Sequence, residues 1–479
     1  MHREHPLRII RSSIQNIWLL LFPILRSLLT LRTSPEELAR WLHGSWFDIL
    51  ILLLILGSGW LRWYCRRFSV RCNAICMEEG LIFRRIRCFP LERISAVTLE
   101  YPLWLKPFGG MYVCADTDGG SRKRHDLRLL IRSEDAPLFR SPCPKLRYAN
   151  RICGSIQVHP WRVIVFSAVF SSSLSGALYA AAFWFQGGRI TGSLISEFAL
   201  VEQLGAASRE AAKHLQGIPP AAAAIAIIIL SLWVLSFVNH LLRYGKFTMQ
   251  TDKSLLFIRS GILVKRSFWL KHGNINFLDI RQSLPTKLCR LYSIAVSCAG
   301  YGCQRGTIPV CLPILTEQEM HTLLPLLFRH AALPNNQVKA PLTAWWGFVW
   351  APLTGLAAVL PAAYLLGGIF PKIGDLIGFL RLMLLIPIGW KLLVQLAALL
   401  TNGIAAEDHR ICVRYCRGFV FHTVLADTSR IVRISLTQFP WQRWFGKCNL
   451  VIAFRTERGE RCVLKNLDLQ KVQELLKEW

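Results

Sequence analysis

Ile275-Asn-Phe-Leu-Asp-Ile-Arg-Gln-Ser283, running on through Leu-Pro-Thr-Lys287 to Arg290, decides the fold because the chain contains it three times. Residues 94–109, 275–290 and 431–446 align without a gap. Ile94, Ile275 and Ile431 coincide, as do Val97, Leu278 and Ile434, and then Leu99, Ile280 and Leu436. This i, i+3, i+5 rhythm predicts a short strand ending in a turn. One basic residue recurs in that turn, as Lys106, Lys287 and Arg443, and Trp104 matches Trp441. Phe108-Gly109 matches Phe445-Gly446, whereas the middle copy has Arg290 in place of the glycine. Self-similarity at this spacing means one supersecondary unit repeated.

Working outward, Gly80, Gly261 and Gly418 mark an earlier turn in each copy. Residues 254–265 and 410–421 each read as two short strands joined at that glycine. Thr316-Glu-Gln-Glu319 is a capping box ahead of an apolar run, and Asp468 to Trp479 carries Leu469, Val472, Leu475 and Leu476 at helical spacing. The copies therefore occupy residues 65–150, 245–335 and 402–479, each built of strands, with a closing helical signal in the second and third.

Between the copies lie paired apolar stretches. The chain has 479 residues, 53% hydrophobic and only 18% charged, with a net charge of +28 and a mean hydropathy of +0.35. Six segments approach or exceed the ~18–20 apolar residues that cross a bilayer as a helix. The first pair is 14–31, interrupted by Arg26, and 46–64, which contains Asp48. The second is 161–185 and 219–242, and the third is 342–370 and 376–400, the last holding Arg381 and Lys391. The expected fold class is an α+β membrane protein. Three transmembrane hairpins (1–64, 160–244, 342–401) alternate with three small β-rich domains, each capped by a C-terminal helix. That composition excludes a cytosolic enzyme and a secreted disulfide scaffold.

Charge orients the chain. Arg3, Arg8 and Arg11 precede the first helix, and Arg62, Arg66, Arg67 and Arg71 follow the second. Lys145, Arg147, Arg151 and Arg162 flank the third helix, and Arg243 and Lys246 the fourth. The loops within the pairs are balanced, so both termini and all three domains are expected in the cytoplasm, with the protein multi-pass in the inner membrane. This placement accounts for the basic excess and argues against nucleic acid. Fifteen cysteines cannot all pair, and in this compartment they are expected to be reduced thiols.

The repeat resembles the bacterial pleckstrin-homology-like membrane proteins, whose strand reads Ile-x-x-Val-x-Leu-x-Gln-Ser before a Leu/Phe-Gly corner. The middle copy shows it best, in Ile275 to Ser283 and then Ile294-Ala-Val-Ser-Cys-Ala-Gly300. Three hairpins each leading into such a domain look like the longer members of that group. The resemblance implies that each domain is a small β-sandwich or partial barrel with a C-terminal helix. The loss of the corner glycine from one copy, and of Ala-Gly-Gly from the outer two, argues against a ligand loop shared by all three.

No H-E-x-x-H, G-x-S-x-G or phosphate-loop motif is present, and Gly300 to Gly306 lies between strands instead of opening a helix. The cysteine pairs 72/76 and 412/416, four apart in strands, are about 13 Å apart and cannot share one metal. No catalytic residue, metal or cofactor is expected. The candidate binding residues are Lys106, Lys287 and Arg443, supported by juxtamembrane Arg62, Arg66, Arg67 and Arg71. They would dock the domains on anionic lipid of the inner leaflet or on a partner protein, giving a membrane scaffold. Exposed strand edges suit a homo-oligomer or a complex with a related protein. The alternative is a transporter or export component with Asp48, Arg381 and Lys391 along a polar path.

Overall fold

The computed structural model describes residues 2–14, 35–71, 74–80, 83–117, 125–136, 139, 154–170, 220–252, 255–298, 301, 310–327, 334, 337–370, 374–407, 409–456 and 461–477. The strands are β1 (His2–Arg3), β2 (Arg67–Arg71), β3 (Ala74–Glu79), β4 (Arg85–Pro90), β5 (Ile94–Pro102), β6 (Gly110–Thr117) and β7 (Leu127–Arg132) in the first copy. The second holds β8 (Gly154–Gln157), β9 (Thr248–Thr251), β10 (Leu255–Ser260), β11 (Val264–Lys271), β12 (Ile275–Ser283), β13 (Leu291–Cys298) and β14 (Val310–Thr316). The third holds β15 (Val338–Lys339), β16 (Gly403–Glu407), β17 (Arg410–Arg417), β18 (Val420–Asp427), β19 (Ile431–Thr437), β20 (Lys447–Phe454) and β21 (Arg461–Asp468). Among the described residues each repeat is thus four strands, then three.

Local chemistry repeats with the sequence. A 3-10 turn joins the fourth strand to the fifth in every copy, at Leu91–Arg93, His272–Asn274 and Thr428–Arg430. The next strand carries a register shift at its start in all three, at Ile94/Ala96, Ile275/Phe277 and Ile431/Arg433. Such bulges bend a strand and increase its twist. The glycine turns also recur, with Gly80, Gly261 and Gly418 all at positive φ (126°, 102° and 68°).

The four-strand and three-strand halves of one repeat enclose one core. In the second repeat, Met249, Leu256, Ile258 and Leu270 meet Leu278, Ile280, Ile294 and Leu312. Corresponding residues make the first core (Phe68, Ile75, Leu99, Met111, Leu129) and the third (Ile404, Ile411, Leu450, Leu464, Val472). The sheets, however, do not stop at repeat boundaries. The three-strand half of one repeat continues into the four-strand half of the next. One seven-stranded sheet runs β7-β6-β5-β11-β10-β9-β8 and a second β14-β13-β12-β18-β17-β16-β15. The outer halves remain separate, as β1-β2-β3-β4 and β19-β20-β21. Leu99 and Ile280, beside these junctions, are 1% and 3% exposed, and full burial of such a side chain stabilises by about 1.5–3 kcal/mol. Their counterpart Leu436 is 37% exposed.

The helices are α1 (Arg8–Ile14), α2 (Pro35–Tyr64), α3 (Pro160–Phe170), α4 (Pro220–Tyr244), α5 (Leu284–Leu288), α6 (Glu317–Leu327), α7 (Trp345–Ile369), α8 (Gly374–Thr401), α9 (Pro440–Trp444) and α10 (Leu469–Lys477). The capping helices expected after the second and third copies are α6 and α10. Thr316 N donates to Glu319 Oε2 (3.0 Å) and Glu319 N to Thr316 Oγ1 (3.4 Å), completing the capping box. Glu319 also takes Arg162 Nη1 of α3 at 2.7 Å, so this flanking arginine braces a helix against the domain. The expected end of the first copy, residues 140–150, lies outside the described residues.

Among the described residues, 342–369 and 380–401 are long and apolar enough to cross a membrane, and 49–64 is a shorter apolar helix. Helices α7 and α8 form an antiparallel pair, with Ile388 within contact distance of Gly355. Most of the expected first span, and residues 171–185 of the third, lie outside the described residues. The cysteine expectation needs one correction, because Cys76 and Cys88 are joined as a disulfide. They are directly opposed in the β3–β4 ladder, a relation that depends on register and was invisible as sequence spacing.

Candidate functional site: the repeated basic corner

The turn after β5, β12 and β19 is helical in every copy, at Leu103–Phe108, Leu284–Leu288 and Pro440–Trp444. Its hidden anchor is the residue before the basic one. Leu105, Thr286 and Gln442 are all buried, at 0%, 3% and 4% exposure. Leu105 fills a small apolar cluster with Tyr112, Leu130 and Leu7. Thr286 is held polar-fashion, its Oγ1 accepting from Ser283 N at 2.7 Å while its own N donates to Ser283 Oγ at 3.4 Å. Gln442 Oε1 accepts from Phe439 N (3.0 Å), and Nε2 donates to Asn449 Oδ1 (3.0 Å) and to Asn466 Oδ1. A hydrocarbon, a hydroxyl and an amide thus fill one geometric role. That chemical heterogeneity hid the position from sequence alignment, although the Ser283/Thr286 spacing is a cap signal.

Each turn closes on a left-handed residue. Gly109 and Gly446 have φ of 63° and 62°, and Arg290, in the middle copy, has φ 54°. The missing glycine therefore leaves the corner's backbone shape unchanged.

The basic residues that follow the anchors differ in exposure. Lys106 and Arg443 are exposed, among exposed Leu103, Trp104 and Phe108 and exposed Phe439, Trp441, Trp444 and Phe445 respectively. Phe439 and Trp441 stack at 4.9 Å. Lys287 is half-buried, its Nζ 4.2 Å from the centre of the Phe421 ring on β18. Burial lowers its pKa and Arg414 lowers it further, against an opposing contribution from Cys416.

The corners lie where helices enter the β units. In the first copy, His5 Nε2 donates to Phe108 O (3.0 Å) beside α1. Leu103 N donates to Leu263 O (3.1 Å), and the adjacent Ile262 N to Leu242 O (2.9 Å) in the last turn of α4. In the second, Phe421 beneath Lys287 belongs to the same hairpin as Phe419, whose ring lies 5.2 Å from Lys391 Nζ on α8. In the third, the Gln442 partner Asn466 lies against Gly347 near the start of α7, where a Cβ would come 2.0 Å from Asn466 Nδ2.

The four arginines that follow the second apolar segment do not form one surface. Arg66 is turned inward, with Nε 3.1 Å from Glu4 Oε1 and Nη1 3.6 Å from Glu79 Oε2. Glu4 also takes Arg8 Nε at 2.7 Å. Arg62, in the last turn of α2, and Arg67, at the start of β2, are exposed, and Arg71 closes β2. Arg381 is exposed on α8, while the side chain of Asp48 lies outside the described residues. Among the described residues no group of three His, Cys, Asp or Glu could hold a metal.

Three strand-rich repeats, each of four strands and then three, with closing helices described on the second and third, define a tandem array of pleckstrin-homology-like units. The bacterial PH domain family matches the chain three times, over residues 22–140, 199–326 and 352–479. The chain belongs to the bacterial PH domain family, as a three-repeat member. Each match begins in or ahead of an apolar helix and runs on through the β unit. No significant match was found among curated proteins or solved structures.

Proposed function

We propose that the protein is a multi-pass, non-catalytic scaffold of the bacterial inner membrane, with both termini and all three PH-like repeats cytoplasmic. Its corners engage anionic headgroups, and its strand edges serve association with a second copy or a related protein. The observation that carries this reading is the recurrence of one corner, basic at its tip, at the base of the apolar helices in every repeat. The outer two corners surround that charge with exposed aromatics. Trp and Tyr favour the headgroup level of a bilayer, and each Lys or Arg near an anionic surface contributes about 1 kcal/mol. Three such contacts on one chain reinforce each other through effective concentration. Against the transport alternative, Lys391 Nζ lies 5.2 Å from the Phe419 ring of the third repeat and so packs on the β unit.

The test uses the full chain, because neighbouring repeats share sheets and an isolated repeat would expose its junction strand. The chain is reconstituted with photoreactive phosphatidylglycerol or phosphatidylcholine, with and without Lys106→Ala, Lys287→Ala and Arg443→Ala together. Salt-sensitive labelling of the corner peptides by phosphatidylglycerol, reduced at least fivefold in the triple variant, is expected. Equal labelling by both lipids, or none at the corners, would refute lipid docking and direct the search to a protein partner.

A further inference from the structure

The two junctions between repeats use one register. Val97 of β5 lies opposite Trp269 of β11, and Leu278 of β12 opposite Leu425 of β18. Val97 and Leu278 are equivalent in the repeat. So are Trp269 and Leu425, each lying the same distance before the 3-10 turn that precedes the isoleucine. One strand-addition interface, formed by the fifth strand of a repeat and the fourth strand of the next, therefore occurs twice within the chain.

Three repeats offer three of each strand, and two pairs use two of each. Strand β19 ends its sheet at one extreme of the array and β4 ends its sheet at the other. Among the described residues neither has a partner on its outer edge. Their side chains show what is missing. Leu436 is 37% exposed where Leu99 and Ile280 are 1% and 3%, and Ile86 is 54% exposed where its equivalent Ser267 is 9%. Val432 on β19 is also 68% exposed. The third core is open along the line that a neighbouring fourth strand closes in the first and second.

We infer that β19 of one copy pairs antiparallel with β4 of a second copy of this chain, extending the array head to tail in the register of the internal junctions. That register places Ile434 opposite Cys88 and Leu436 opposite Ile86, two apolar pairs. Arg433 falls opposite Phe89, Ser435 opposite Arg87 and Thr437 opposite Arg85, so no two like charges face each other directly. The occupant is a second copy because its complementary edge belongs to this same chain, and because an unpaired edge is a template for strand addition. The contact is heterologous, and it gives a closed ring or an open row according to the rotation per copy. This deepens the self-association in the reading above and is independent of lipid docking, which the lipid-labelling experiment reports separately.

The test places a benzophenone side chain at position 436 in full-length protein, co-expressed in membranes with a differently tagged unmodified copy. Irradiation is expected to give a product of twice the chain mass, with the crosslink in the peptide spanning Arg85–Pro90 of the second copy. The same probe at Tyr101, which faces Lys265 within the chain, serves as control and should crosslink intramolecularly. Transfer from 436 to another part of the second copy would overturn the inference. So would a crosslink to β4 of the same chain, or no product while the Tyr101 control reacts. As an independent arm, Val432→Lys with Leu436→Lys should shift the detergent-solubilised protein to single-chain mass with its melting temperature within a few degrees. An unchanged assembly in that folded variant would also overturn it.

Discussion

His422 on β18 donates from Nδ1 to both carboxylate oxygens of Asp279 on β12, at 3.0 Å each, and so ties the third repeat to the second across their shared sheet. Arg281 Nε adds a 2.7 Å contact, and the ring of Tyr415 stacks on His422 at 5.0 Å. The first junction has a more exposed counterpart, Arg266 Nε to Glu100 Oε1 at 3.1 Å.

Burial by itself would raise the Asp279 pKa, but His422 and Arg281 overcome it and hold the group at about 2. A carboxyl depressed in the folded state contributes stability above its unfolded value, here 3.8, and loses it as pH falls toward the folded value. That loss is about 2 kcal/mol. Thermal melts between pH 5 and 2 should show this acid limb, and Asp279→Asn should flatten it. Asp279→Ala should cost about 3 kcal/mol at pH 7, because it leaves Arg281 half-buried without its carboxylate.

Arg290 holds a left-handed backbone conformation that costs a non-glycine residue about 1 kcal/mol or more. Its side chain makes an exposed 3.5 Å contact to Glu317. Arg290→Gly should therefore raise stability by about 1 kcal/mol, read as an upward shift in melting temperature, whereas Gly109→Ala and Gly446→Ala should lower it.

The three aligned turn glycines should differ in tolerance. A Cβ at Gly80 would come 1.9 Å from Phe83 O, and one at Gly261 would come 2.1 Å from Val264 O, while Gly418 has open space. Alanine at position 418 should cost about 1 kcal/mol through its positive φ alone. At 80 or 261 the backbone must also move, so losses of about 3 kcal/mol or failure to accumulate are expected. Denaturant midpoints and membrane yields rank the three.

Among the corner cations, Lys287 covers an aromatic ring while Lys106 and Arg443 face outward. Lys287→Ala should destabilise by about 1 kcal/mol, whereas Lys106→Ala and Arg443→Ala should stay within about 0.5 kcal/mol. Melting curves of the single variants check this and guard the lipid-labelling experiment against an unfolding artefact.

The Cys76–Cys88 pair reports orientation. The structure places the two sulfurs in bonding geometry, but cytosolic thiols are kept reduced. In a cytoplasmic first repeat, as proposed, the bond should stand open at rest and close only on oxidation, so alkylation during acid-quenched lysis should label both residues in cells. After oxidation of the purified protein, neither should react until a reductant is added. A bond already present at quenching would count against the cytoplasmic placement.

Local sequence determined the unit of this protein and its repetition. Alternating apolar residues, the glycine turns at 80, 261 and 418, the Thr316/Glu319 cap and the basic corner are signals carried within a few residues, and all lie where that reading places them. What a corner residue does was not local. Arg66 reads as one of four flanking arginines, yet the fold turns it onto Glu4, more than sixty positions away. Lys391 reads as a charge within an apolar helix, yet it lies over Phe419. Above all, composition gave three separate beads, and tertiary structure joined them. Hydrogen bonding along a strand edge depends on backbone geometry, with little regard to side-chain identity. Pairing of β5 with β11 and β12 with β18, and the open edges at β4 and β19, therefore leave no pattern in the sequence and appear only when the strands are placed in space.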